Sequence, residues 1–342
     1  MKKILPLASP AVRAYSKHAH VFSILGARSS LYLPWIYNYY VQLSVPESPH
    51  QFAVDYLIPS IFQYAPNLFV SRIERNVAFG VKARILDFIK FQIEMGYYIY
   101  TYFAVDRIAA YHCEPLQTHD PLIYGYDDER EEIYLADTYP NGHYTHRVAS
   151  YDEIISAAGA ESEWTTWGRR EAALDVICMK YKDLDVRFEF NKEMYASLLM
   201  EYLEQKNSKS LHWGVAGWSK GKKAKRIYGI GIYSSLQQHV HLIGEEKREI
   251  DIRGVYVIVE HKQIMEKALE CSLGTHWKKQ YLYESQLYQE IVKKVTILLN
   301  LCLKYNFTKK DEIHESISRY IAEIKCMEKE FWEKIVRLLQ NE

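Results

Sequence analysis

The apolar positions of this chain follow two periods, and the change of period divides it. Residues 96–137, GYYIYTYFAVDRIAAYHCEPLQTHDPLIYGYDDEREEIYLAD, are dense in Tyr, Ile and Val and predict three strands, at 96–105, 121–126 and 132–136. The polar run Asp127-Asp128-Glu129 between the last two is a turn composition, which predicts a hairpin. Ahead of it, Val81, Ile85, Phe88, Ile89 and Ile93 recur at helical spacing within residues 77–95, and Gly96 is placed to end that helix. Residues 17–25 predict a shorter helix closing at Gly26. The aromatic run 33–43 predicts a strand with Pro34 near its start, and 44–50, with two prolines, a loop. The apolar run 52–65 fits either element. After Asp137 the pattern predicts a loop at 138–146. A helix at 148–157 follows, with Ser150 and Glu153 spaced as a capping box.

The second half changes character. Residues 174–178 and 186–190 predict a hairpin, and Asn191 a cap for a helix at 192–205. Residues 206–225 are polar and glycine-rich and read as a linker or loop. A short strand at 227–233 leads into a helix from Ser234. From Asp251 onward the helical period holds almost throughout, predicting long helices at 255–272, 281–305 and 310–339. The expectation is therefore an α+β domain over residues 1–160 and a mostly helical domain with a small sheet over 161–342. The boundary falls near 158–172.

Composition narrows the function. The 342 residues carry 43 Lys and Arg against 43 Asp and Glu, and zero net charge argues against a nucleic-acid binder. The five cysteines lack metal-site spacing, which argues against a disulfide framework or a structural zinc site, and no cofactor is expected. The apolar run after Lys2-Lys3 is short for a signal peptide, and no stretch approaches the ~18 apolar residues of a membrane span, so a cytoplasmic protein is expected.

Two polar residues bracket the hairpin: His119 opens one strand and Asp137 closes the next. Antiparallel pairing sets such positions side by side. They read either as a catalytic base with its orienting carboxylate or as an edge histidine and a turn aspartate. His18 and His20 are two apart on a helix and fall on different faces. His143 and His146 follow Asp137 as possible metal partners or as surface histidines. Gly229-Ile230-Gly231 before Ser234 is a partial phosphate-loop pattern. Lys220, Lys222, Lys223, Lys225 and Arg226 form a basic cluster suited to an acidic partner or to a solvated loop.

The stretch THDPLIYGYDDEREEIYLADTYPNGHYTHRVASYDEII resembles the His-bearing half of papain-like peptidases of the C39-type, and more narrowly the N-terminal region of the butirosin biosynthesis protein H family. IYGIGIYSSL and DIRGVYVIVEHKQIMEKAL resemble that family's partner domain. The resemblance implies a papain-like first domain with an antiparallel sheet. It also implies acyl or aminoacyl transfer, or amide-bond formation, on a thioester held by an acyl or peptidyl carrier protein in nonribosomal peptide or related antibiotic biosynthesis. The family's catalytic pair falls on His119 and Asp137. Its nucleophile, a cysteine at the start of the first helix, has no counterpart, because no cysteine precedes Cys113. Ser16, Ser23 and Cys113 are the candidate replacements. The alternative is a catalytically inactive relative that binds a carrier protein or a pathway enzyme.

Overall fold

The computed structural model describes residues 1–58, 60–113, 117–139, 142–158, 175–184, 188–207 and 225–341. In chain order these form β1 (Lys2–Ile4), α1 (Ser16–Gly26), α2 (Leu33–Tyr39), β2 (Leu43–Pro46), β3 (Asp55–Tyr56), α3 (Ile61–Tyr64), β4 (Leu68–Glu74), α4 (Arg75–Phe79) and α5 (Ile85–Glu94). Next come β5 (Tyr98–Tyr100), β6 (Phe103–Ala104), β7 (Thr118–His119), β8 (Leu122–Asp127), β9 (Glu132–Thr138), β10 (Tyr144–Ser150), α6 (Tyr151–Ala158) and β11 (Asp175–Tyr181). The remainder is α7 (Lys192–Glu204), β12 (Arg226–Tyr228), α8 (Ile232–Glu246), α9 (Ile252–Leu273), α10 (Trp277–Gln280), α11 (Leu282–Thr308) and α12 (Asp311–Asn341). The architecture is α+β, with antiparallel sheets and a helical C-terminal region. Among the described residues no helix is long and apolar enough to cross a membrane.

The chain divides into two compact units, Met1–Tyr32 with Ser60–Arg187, and Leu33–Pro59 with Phe188–Glu342. This differs from a single boundary near 158–172, most of which lies outside the described residues. Residues 33–59 join the second unit because β2 pairs with β12 and α2 packs on α7 and α9.

The first unit is built on an antiparallel sheet in the order β10-β9-β8-β5-β11-β4, with β1 also paired to β8. Helix α1 packs against β9 and β11, and α5 against β5 and β8. β8 is buried at every position, so both its faces are covered. Gly96 ends α5 as expected: with φ +81° it lets Tyr97 N–H reach Gln92 O and Gly96 N–H reach Ile93 O, the left-handed helix stop. Ser150 and Glu153 form the capping box of α6. Glu153 N–H donates to Ser150 Oγ (3.2 Å) and Ser150 N–H to Glu153 Oε2 (2.7 Å).

Several expectations are corrected here. The helix expected at 77–95 is α4 and α5 with a tight turn between them. Val77 and Val81 are exposed; α4 buries Ala78 and Phe79 instead, and the buried stripe of α5 starts at Ile85. The strand expected at 96–105 splits into β5 in the main sheet and β6 in a two-stranded ladder with β7. The loop expected at 138–146 ends early, because β10 pairs with β9 from Tyr144↔Thr138 to Ser150↔Glu132, and α6 begins only after it. β11 pairs with β4 and β5 rather than with 186–190, of which residues 186 and 187 lie outside the described residues.

In the second unit α7, α8, α9, α11 and α12 follow the expected helical periods, the short α10 is additional, and Asn191 caps α7 by accepting from Met194 N–H at 2.7 Å. The strand expected at 33–43 is instead α2 followed by β2, which also takes up part of the expected 44–50 loop. Aromatic strand preference yields to packing: Trp35, Ile36 and Asn38 are buried, and Asn38 bonds both backbone groups of Asn191 at 2.9 Å. The strand expected at 227–233 ends at Tyr228. Gly229 (φ +55°) lies so close to the Tyr202 backbone that a Cβ would fall 2.0 Å from its carbonyl oxygen. Gly229, Ile230 and Gly231 are all buried, so the glycines serve close packing on α7 and form no open phosphate cradle.

Candidate functional site

Two ladders bring the site together. His119 stands opposite Phe103 in the β6–β7 ladder, and Leu122 opposite Ala136 in the β8–β9 hairpin. The chain just before β8 therefore lies beside Asp137, near the end of β9. His119 Nδ1–H donates to Asp137 Oδ2 at 2.6 Å. The same oxygen accepts from the Tyr111 hydroxyl in a short hydrogen bond, and Asp137 Oδ1 accepts from Thr138 N–H at 2.7 Å. Asp137 is wholly buried, while the His119 side chain is 39% exposed. A carboxylate only accepts, so this bond puts the ring proton on Nδ1.

Asp120 was not singled out by the sequence, and it is central. Its Oδ1 accepts from the Ser16 hydroxyl at 2.7 Å and lies 3.4 Å from His119 Nδ1. Its Oδ2 accepts from the Tyr100 hydroxyl at 2.6 Å. Its backbone oxygen accepts from His20 Nε2–H at 2.8 Å, and His20 Nδ1 accepts in turn from the Tyr144 hydroxyl at 3.0 Å. Ser16 and His20 are four apart, hence on one face of α1. One holds the Asp120 carboxylate and the other its carbonyl, so the start of α1 clamps the residue next to His119.

Burial, then the neighbouring carboxylates, push the Tyr100 and Tyr111 phenols well above their ordinary value, so both remain donors. Burial pushes His20 down, which keeps it neutral in the tautomer its partners require. Asp120 and Asp137 are buried, and among the described residues neither pairs with a Lys or Arg. Two carboxylates thus face one imidazole. Ligating atoms of His119, Asp120 and Asp137 lie within 4.8 Å of one another.

No protein-family model and no curated protein matches this chain.

The other candidates fall elsewhere. Ser23 lies two turns, about 10 Å, beyond Ser16 along α1, and its hydroxyl donates to Ala19 O at 2.8 Å. Cys113 sits partly buried in the segment before β7. His146 stands opposite Ala136, one place from the Thr145↔Asp137 pair and so on the other face of the sheet, where it packs on Tyr124. His18 is buried with His20 in α1. Of the basic cluster, Lys220, Lys222 and Lys223 lie outside the described residues, and Arg226 donates to Ser44 Oγ at 2.9 Å. No local signal marks Asp120 in the sequence, because the hydroxyl that holds it comes from Ser16, 104 residues earlier.

Proposed function

We propose that the first unit is papain-like and carries out acyl or aminoacyl transfer from a carrier-protein thioester in an assembly-line pathway of the nonribosomal peptide kind. His119 acts as base and Asp137 as its orienter. The observation that carries this reading is the 2.6 Å bond from His119 Nδ1–H to buried Asp137 on a half-exposed ring. With its proton on Nδ1, the imidazole has its lone pair on Nε2. That nitrogen takes the proton of an acceptor amine as the amine attacks the thioester carbonyl. The C–N bond forms, the C–S bond breaks, and the proton passes from Nε2 to the departing thiolate. A base in this position accounts for roughly 10²–10⁴-fold in rate.

Transfer in this form is direct. Ser16 stands at the start of α1, the place of the papain-like nucleophile, but its hydroxyl donates to Asp120 and not to the imidazole. That same observation favours the second reading, an inactive relative that binds a loaded carrier protein.

Purified protein incubated with an acylated carrier protein or an acyl-pantetheine thioester, plus an amine, separates these readings by mass spectrometry. Direct transfer yields an amide, loses it by roughly 10²–10⁴-fold in His119→Asn, keeps it within a few-fold in Ser16→Ala, and leaves no acyl group on the protein. An acyl adduct on Ser16 would overturn direct transfer. Carrier-protein binding without product, equal in the parent and His119→Asn, would leave only the binding reading.

A further inference from the structure

Two independent features of the His119 cluster point to a cation. The first is spacing. Asp137 Oδ2 and Asp120 Oδ1 lie 2.6 Å and 3.4 Å from His119 Nδ1, and the ligating atoms of the three residues fit within 4.8 Å. A metal bound at about 2.0–2.2 Å holds its ligand atoms roughly 3.0–3.5 Å apart. An ammonium, hydrogen-bonded at about 2.8–2.9 Å, spreads its acceptors to roughly 4.5 Å. The 3.4 Å edge matches the metal spacing, and both it and the 2.6 Å edge are shorter than the ammonium one.

The second is charge. Asp120 and Asp137 are 7% and 0% exposed, and His119 is the one ionic partner of each among the described residues. The other donors to their carboxylates, Ser16, Tyr100, Tyr111 and Thr138 N–H, are neutral. Even a protonated imidazole leaves one negative charge over, in a place where buried carboxylates are ordinarily paired or coordinate a metal. The half-exposed ring of His119 gives an ion a way in.

We propose that His119, Asp120 and Asp137 bind a divalent cation of the zinc or manganese class. One imidazole nitrogen and two carboxylate oxygens suit first-row divalent ions, and the imidazole disfavours magnesium. The Tyr100, Tyr111 and Ser16 hydroxyls become the outer donors that hold the ligating carboxylates in place. Coordination takes the Nδ1 lone pair, so the ring proton moves to Nε2 and the His119–Asp137 hydrogen bond is lost. The metal-bound form and the base form of the site exclude each other. Binding itself does not rest on the proposed transfer and is measured without substrate.

The test is isothermal titration of chelator-treated protein with zinc, with metal counted by elemental analysis and cobalt(II) used as a spectroscopic probe. Expected are one zinc per chain, visible cobalt bands and no heat with magnesium. His119→Ala and Asp120→Asn should lose both signals while keeping the parent circular dichroism, and His241→Ala, an exposed histidine on α8, should keep them. Zinc uptake unchanged in His119→Ala and Asp120→Asn, or no uptake by the parent, overturns the proposal. Failure to bind leaves the transfer reading untouched, because that reading needs no metal.

Discussion

Each unit buries a cluster of charge, and the two clusters differ in balance and access. In the second unit, wholly buried Glu328 on α12 accepts from Tyr202 (2.8 Å), Tyr233 (2.6 Å), Trp332 Nε1 (3.0 Å) and the Lys262 ammonium. Lys262, equally buried, also donates to His261 Nδ1 at 3.0 Å, which leaves His261 Nε2–H to donate to Val41 O at 2.9 Å. One anion meets one cation, the whole is shut from water, and α7, α8, α9 and α12 are tied at a point. In the first unit two carboxylates share one imidazole, and that imidazole reaches solvent. A balanced, closed cluster can only hold helices together. An unbalanced, open one leaves charge uncancelled among the described residues.

The comparison breaks most readily at Glu328. Glu328→Ala leaves the Lys262 ammonium buried and uncompensated, at a cost of about 3–5 kcal/mol. Urea denaturation should show the loss, and a midpoint within the error of the parent would mean that the cluster does not hold the helices. Tyr111→Phe removes a donor from buried Asp137 and should cost about 1–3 kcal/mol by the same assay. An unchanged midpoint would mean Asp137 does not depend on its tyrosine.

The pH profile sharpens the contrast. Burial, then Lys262, push His261 well below its ordinary value, so it folds neutral. The unfolded chain takes up this proton near pH 6.5 and the folded chain does not. The contribution is full above that pH and falls away below it, by about 1.4 kcal/mol per pH unit. Denaturation between pH 7.5 and 5.5 should show the slope, and His261→Gln should reduce it by about that one-proton amount. A slope identical in that variant contradicts a neutral buried His261.

Much of this was legible in the chain, for reasons that lie in particular residues. His119 and Asp137 could be paired because a hairpin fixes which strand ends meet. Gly96, Asn191 and the Ser150–Glu153 box declared themselves because caps act within a few residues. What escaped depends on distant partners. α2 is a helix because Asn38 finds Asn191, 153 residues away. Residues 33–59 leave the first unit because β2 finds β12. Asp120 is buried because Ser16, 104 residues earlier, holds it. No local pattern encodes such meetings.

A small effect on stability belongs to Ser16→Ala. Loss of one of the donors to Asp120 should cost about 0.5–1.5 kcal/mol and change transfer only a few-fold. A complete loss of transfer would return Ser16 to the role of nucleophile.

The most direct measurement is His119→Asn, whose amide can still donate to Asp137 but has no lone pair to act as a base. The account predicts a thermal midpoint close to the parent's, together with amide formation from the thioester slowed by roughly 10²–10⁴-fold. Amide formation at the parent rate in a folded His119→Asn protein would contradict it.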